Sequence, residues 1–509
     1  MAISTAVGSE RISKVVGYKL TKGFFQITSP NLPQRVAILA EANLANQGTL
    51  DVTKKEITSA QEAGELYGFG SPIHNIMRIL RPPTGGGIGG IPTIVYPQIE
   101  PGASVAATKT VTVTGGATGN GEHTVIVAGR SGIDGISYSF PVVDGDTPEI
   151  IAGKIKDAIN AVLSSPMTGD NVIGVMTGTV KWKGVTGEDV NISIDNGGDG
   201  LGLTYVIAVG VSGSGSTSIA GALAQFGNEW NTIVVNSYGE PKLDDLEAFN
   251  GIPDPDAPTG RYLGIIFKPF ISLWGSILDD KDAIVAITDS RKIQVTNVLC
   301  PAPLSAGMPW EAAANGALLA AKIMQDSPHL DVQGKNYPDM PVPTDGIIGD
   351  MSVYDNRDFL VKKGASTVDL VAGVYQFHDF VTTYHPDGEL PPQFRYGRNL
   401  MLDFNVRFGY FLLEKIHVVD HAIADNNQPL NVGDVIKPKQ WKQVIDGYAA
   451  DLGLRNLIVE VIFMQDSITV GTSGTNPDRL ETFFRYKRSP YVRIASTTAE
   501  AGFSFGLTS

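Results

Sequence analysis

The sequence predicts a multidomain chain of mixed α/β and α+β class: a layered α/β core split by an inserted, mostly β domain, a C-terminal α+β domain, and an extended arm at each end. Three observations lead there. At 509 residues the chain has room for about three domains of roughly 150 residues each. Strand and helix patterns alternate before residue 100 and again after residue 213, as a layered α/β domain requires. Between them Thr, Val and Gly dominate, and short alternating strands recur between glycine-rich turns. The divisions that follow are an arm over 1–24, core over 25–99, insertion over 100–213, core again over 214–389, a C-terminal domain over 390–498, and a second arm over 499–509.

The arm at 1–24 lacks helix signals but carries Ile12, Val15, Val16, Tyr18 and Leu20, residues that suit a pleated strand. After Arg35, the run Val-Ala-Ile-Leu-Ala predicts a buried strand. Ser59 and Glu62 stand at capping-box spacing and open a helix through Tyr67. Ile73, Ile76, Met77 and Leu80 line one face of a second helix, which Pro82 and Pro83 stop. Gly85, Gly87 and Gly90 formally match G-x-G-x-x-G, but a dinucleotide site needs a strand before the glycines and a helix after them. Here a helix precedes and the strand Pro92–Tyr96 follows, so the glycines predict a loop.

The insertion shows strand patterns at Thr110–Thr114 and His123–Ala128, and one helix from Asp146 with Ile151, Ile155, Ala158 and Ile159 at helical spacing. Flexible Gly/Ser sequence closes it near residues 212–218. The resumed core predicts strands at Asn231–Asn236, Tyr262–Phe267 and Ile293–Leu299, with helices at Leu243–Phe249 and Pro309–Met324. Ala312, Ala313, Ala320 and Ala321 make the last helix thin enough for close packing. In the C-terminal domain the pattern predicts a long strand at Asn399–Leu413, a helix at Pro438–Leu452, and strands at Leu457–Phe463 and Arg479–Tyr486.

Charge and motif content narrow the function. With 39 basic and 53 acidic side chains the net charge is −14, the wrong field for holding bulk nucleic acid. The single cysteine, Cys300, reads as a small buried hydrophobe. The N-terminus has no apolar signal core, and Tyr262–Leu278 is too short and too interrupted to span a bilayer. A soluble product of a reducing cytoplasm, with no membrane insertion, is expected. No P-loop occurs. His417 and His421 could share a helical face, but Val418 stands where a zinc protease needs its glutamate. Asp195–Gly200 resembles a calcium loop but lacks the third ligand position and the distal acid, so a turn is expected. No catalytic, cofactor-binding or metal residue is assigned, and the chain is expected not to be an enzyme.

Both ends look like unpaired strands. At the C-terminus Phe503, Phe505 and Leu507 alternate with small residues, and a terminal strand can complete a neighbour's sheet. If each subunit lends one to the next, the contact is heterologous and builds a helical polymer unless its rotation closes. Docking of both ends on their own subunit is the alternative. A glycan-binding adhesin, suggested by the Gly/Thr-rich insertion, is a reading from a different class.

Five segments in collinear order carry a resemblance: Ile57–Arg81, Gly145–Ala161 with Trp182–Val190, Pro309–Ala314, Val368–Thr383, and Asn476–Glu481. Together they resemble the contractile tail sheath protein of Mu-like bacteriophages. The resemblance departs at Asp254–Pro258, Asn336–Pro343 and Asp425–Asp434. It implies a structural polymer in the virion, assembled in a bacterial host's cytoplasm as a helix or stacked rings around a tail tube. Baseplate and tail terminator proteins would be further partners, and no nucleic acid is contacted directly. Arms would be exchanged between subunits, the insertion would protrude, and the C-terminal domain would face the tube. Contraction would drive the tube through the host envelope for genome delivery, or serve a phage-derived injection device of the same design. Arg485, Lys487, Arg488 and Arg493 are the tube-contact candidates in this acidic chain.

Overall fold

The computed structural model describes residues 30–389 and 392–501. The arm candidates Ile12, Val15, Val16, Tyr18, Leu20, Phe503, Phe505 and Leu507 lie outside the described residues. The fold is mixed α/β with several sheets and 12 α-helices among the described residues.

The largest sheet has six strands in the order Asn297–Pro301, Ile271–Ser276, Ile233–Asn236, Val36–Leu39, Thr93–Val95, Lys55–Glu56. All neighbours are parallel except the short outer strand Lys55–Glu56, which runs antiparallel. Val36–Leu39 and Ile271–Ser276 are buried at every position, as parallel strands covered on both faces must be. The sheet is therefore assembled from strands lying on either side of residues 100–213. Across it lies the Pro309–Asp326 helix, whose small face permits the predicted close approach. A Cβ at Gly316 would overlap the Cys300 sulfur, and one at Gly275 would overlap the Pro309 backbone.

Residues 100–213 form a four-stranded antiparallel sheet, ordered Leu203–Val209, Thr108–Gly115, Val175–Val180, Met167–Val172, and a three-stranded one, Ile192–Asp195, Gly121–Val127, Ser139–Val142. The Pro148–Ala161 helix, capped by Thr147, packs against strands of both sheets. This layer is continuous with the core beneath it. One hydrophobic cluster runs through both, and Trp182 meets Trp310 edge-on at 5.7 Å.

A second cluster lies in the C-terminal part, around Trp441, Ile445, Tyr448 and Leu452. The Gly397–His417 helix joins the two: Leu400, Met401 and Phe404 enter the first cluster while Leu402, Val406 and Tyr410 enter the second.

That helix corrects the strand expected at Asn399–Leu413. A helix buried on two faces shows a nearly continuous apolar run, which hides the 3.6-residue period. The strand expected at Tyr262–Phe267 is also absent. A 3₁₀ turn at Gly260–Tyr262 leads into a loop in which Phe267 takes φ 29°, and the strand begins only at Ile271. The strand expected at Ile293–Leu299 starts four residues later, at Asn297. At Leu457–Phe463 only Ile458–Val459 is extended; Glu460 adopts φ 52° and turns the chain into the Val461–Ser467 helix. No helix among the described residues is long and apolar enough to cross a membrane.

Candidate assembly surface

The C-terminal part places the four basic candidates. The Lys487–Arg488 strand pairs antiparallel with Ile458–Val459, and the hairpin Thr469–Thr472/Leu480–Phe483 stands beside it. Both are fixed by the helices beneath. The Trp441 indole donates to Thr482 Oγ1 at 3.0 Å, and the Tyr448 hydroxyl donates to the Val406 carbonyl at 2.7 Å.

Arg488 turns inward. Its Nε and Nη2 donate to the two oxygens of Asp403 at 2.8 and 2.6 Å, and the Tyr486 hydroxyl donates to the same carboxylate at 2.8 Å. Burial works against the Arg488 charge, yet the Asp403 carboxylate outweighs it and holds the pKa above the ordinary arginine value. Arg493 is likewise committed: it binds Asp331 and lies 3.6 Å over the Tyr396 ring. Arg485 and Lys487 are exposed, Arg485 over the Phe483 ring at 5.4 Å and Lys487 over Phe463 at 4.7 Å with Glu460 as its ion-pair partner. The structure thus gives two of the four arginine and lysine candidates to internal pairs and two to the surface.

Apolar surface surrounds this region. A cleft of about 320 Å³ is walled by Tyr262, Phe267, Phe394, Phe404, Tyr410 and Phe484. Val492 and Ile494 are more than 80% exposed on either side of Arg493. In the insertion, Leu203–Val209 is an edge strand with Val206 and Val209 each 55% exposed. Edge strands with unpaired backbone groups accept another strand readily.

At the opposite end of the core sheet, strand order reverses between Val36–Leu39 and Ile233–Asn236. Open α/β sheets commonly bind ligands in the crevice at such a point. Here the insertion occupies it. Glu41 accepts hydrogen bonds from Thr186 Oγ1 at 2.9 Å and Ser237 Oγ at 3.3 Å, and Trp182 Nε1 donates to Thr186 Oγ1 at 3.0 Å. Burial pushes the Glu41 carboxyl up to about 7 against those hydrogen bonds. The Glu100 amide donates to Gln47 Oε1 at 3.2 Å, a second tie across the same seam, while its carboxylate accepts from the Lys183 amide at 2.8 Å.

The discounted motifs take ordinary structural places. Arg81 fastens the Gly85–Gly90 loop through the carbonyls of Gly89 and Ile91 at 2.9 and 2.7 Å. Asp195, Asn196 and Asp199 each accept from a backbone N–H two residues on, as turn residues do. The Gly397–His417 helix ends at its first histidine, so His421 lies beyond it and the two do not share a helical face. Cys300 is buried and its thiol pKa is raised by that burial. Among the described residues no group of three or more His, Cys, Asp or Glu could hold a metal ion.

Sequence reasoning missed Asp403, Asp331 and Arg398. Asp403 stands alone in the apolar run Leu400–Phe404, and a lone acid there signals a buried partner.

The chain is 24% identical over 197 residues to the Mu-like prophage FluMu tail sheath protein of Haemophilus influenzae. Over that stretch it is a homologue of a tail sheath protein. The match takes in 38% of this chain and 37% of that one, so the chain matches well under half the length of the curated relative. Among solved structures, a sheath tail protein from Desulfitobacterium hafniense is similar with TM-score 0.44 at 11% identity, over 93% of this chain and 100% of that one. A chain of the anti-feeding prophage baseplate is similar with TM-score 0.43 at 11% identity, over 97% of this chain and 100% of that one. No protein-family model matches the chain.

Proposed function

We propose that the chain is a tail sheath subunit that polymerises helically around an inner tube and contracts to drive that tube through a cell envelope for genome delivery. The observation that carries the reading is the homology to a tail sheath protein over 197 residues. Arms at both ends would be lent to neighbours as strands, residues 100–213 would protrude, and 390–498 would face the tube. Of the four basic candidates, Arg485 and Lys487 are the two exposed ones that could meet an acidic tube, Lys487 by exchanging its Glu460 partner, because the Arg488 and Arg493 guanidiniums pair internally with Asp403 and Asp331.

The physical logic is that of a metastable polymer. A device without an ATP site stores its work in subunit packing and releases it when the packing changes. Exchanged strands would keep the lattice connected while subunits rotate. Negative-stain images of the purified chain should show striated tubes. Removing residues 1–20 or 500–509 should abolish the tubes and leave a folded monomer; tubes that persist without either arm would overturn strand exchange, and glycan binding by the whole chain without assembly would favour an adhesin.

A further inference from the structure

The first and last described stretches of the chain both bond to one short segment, beside further ties from Arg455 to Asn31 Oδ1 and from the Leu32 amide to Asn405 Oδ1 at 2.9 Å. Near the N-terminus, Asn31 Nδ2 donates to the Gln325 carbonyl at 2.7 Å, and the Gln34 amide donates to Gln325 Oε1 at 3.3 Å. Near the C-terminus, Arg493 binds Asp331, whose side chain is fully buried, and donates to Gln333 Oε1 at 3.2 Å. Arg398, itself 2% exposed, donates to the His329 carbonyl at 2.8 Å and to the Ser489 carbonyl and hydroxyl at 2.6 and 2.8 Å. Residues 490–501 form neither helix nor strand. Among the described residues, their hydrogen bonds and ion pairs all come from Arg493.

We propose that residues 325–333 are a shared anchor for both terminal arms, with Asn31 and Arg493 as the positioning residues that fasten each arm to it. This rests on the reading that the arms leave for neighbouring subunits. Tension arriving through one arm would then pass to the other across nine residues at the end of the Pro309–Asp326 helix, whose body is buried against the core sheet. The six-stranded sheet begins only at Val36, beyond the Asn31 and Gln34 ties. A subunit could turn under load without its core being pulled apart, which a sheath that moves as a connected lattice needs.

Pulling single full-length molecules between handles fused at the two ends tests this without any assembly, so its outcome is separate from whether tubes form. The first rupture should lengthen the tether by roughly a few nanometres, the length of about ten freed residues, with the core unfolding in a later, distinct step. Arg493→Ala should speed that first rupture roughly 100-fold, since it strands the buried Asp331 carboxylate, while Arg493→Lys should restore part of it. Stranding that carboxylate should also lower the melting temperature of Arg493→Ala, with Arg493→Lys recovering part of it; the specific readout is that the first rupture speeds up under load while the later core step does not, a pattern that a purely structural role for Arg493 would not give. Asn31→Ala should weaken the same event from the other side, and Arg485→Ala should leave it unchanged. A first event that unfolds hundreds of residues at once, or a first rupture indifferent to Arg493→Ala, would overturn the proposal.

Discussion

At the scale of single residues, the buried acids decide how this chain responds to pH. Glu41 is fully buried at the seam between core and insertion, and that burial lifts its carboxyl from 4.5 to about 7. A carboxyl whose pKa is higher in the folded state contributes fully below the unfolded value and loses that contribution as pH rises through the folded value. Stability should therefore fall between about pH 4.5 and pH 8, by roughly 3 kcal/mol from this group. Burial raises Asp189 to about 7 as well, so it adds to the same fall. Glu41→Gln mimics the protonated acid, and its amide oxygen can still accept from Thr186 Oγ1, so its melting temperature should exceed that of the parent at pH 8 and match it near pH 5. Equal melting temperatures at both pH values would show that Glu41 does not hold its proton in the fold. Asp403 poses the opposite case, because Arg488 and Tyr486 both depend on it. Asp403→Ala leaves a largely buried guanidinium uncompensated and should cost about 3 kcal/mol in denaturant midpoint analysis, with little change in slope.

At the scale of elements, legibility followed how many faces an element buries. The Pro72–Leu80 helix buries nearly all its residues, yet the spacing of Ile73, Ile76, Met77 and Leu80 and the stop at Pro82 made it readable, whereas its Ser71 cap went unread. The two-faced Gly397–His417 helix has no side-chain cap at Tyr396, and its one helical signal, Asn399, Asp403 and Arg407 at four-residue spacing, is masked by the apolar residues between them. Glu460 was illegible for another reason: a left-handed non-glycine residue is held by its surroundings rather than by local preference. The candidate surface was legible only as charge. Arg485 to Arg493 stood out as a basic run, but which members face inward depends on Asp403 and Asp331, about 85 and 160 residues away in sequence. Packing of the two-faced helix yields a sharp prediction at Gly409. Alanine normally favours a helix over glycine by about 1 kcal/mol, but a Cβ here would stand 2.6 Å from the Tyr448 hydroxyl and 3.0 Å from its ring. Gly409→Ala should instead destabilise by about 1–3 kcal/mol, and a gain in melting temperature would show that Tyr448 can move aside.

At the scale of the whole molecule, the proposed polymer of an acidic chain of net charge −14 would have to bring like-charged copies together. Each added subunit meets the field of those already in place, and that field extends about 10 Å at 0.1 M salt. Attraction at the exposed basic positions is local, whereas repulsion acts between whole subunits. The internal pairing of Arg488 with Asp403 and of Arg493 with Asp331 removes two cations and two anions together, so the whole net charge still acts between subunits while fewer cations are left to offset it locally. The apolar exposed residues Val492 and Ile494, next to Arg493, favour a contact driven by burial rather than by charge. Tube assembly of the purified chain should therefore be promoted by salt, with the critical concentration falling several-fold between about 20 mM and 200 mM as repulsion is screened. Light scattering across that range, read together with electron micrographs, makes the comparison. If salt instead dissolves the tubes, ion pairs between subunits must dominate the lattice, and Arg485→Ala with Lys487→Ala should then raise the critical concentration at low salt and flatten its dependence on salt.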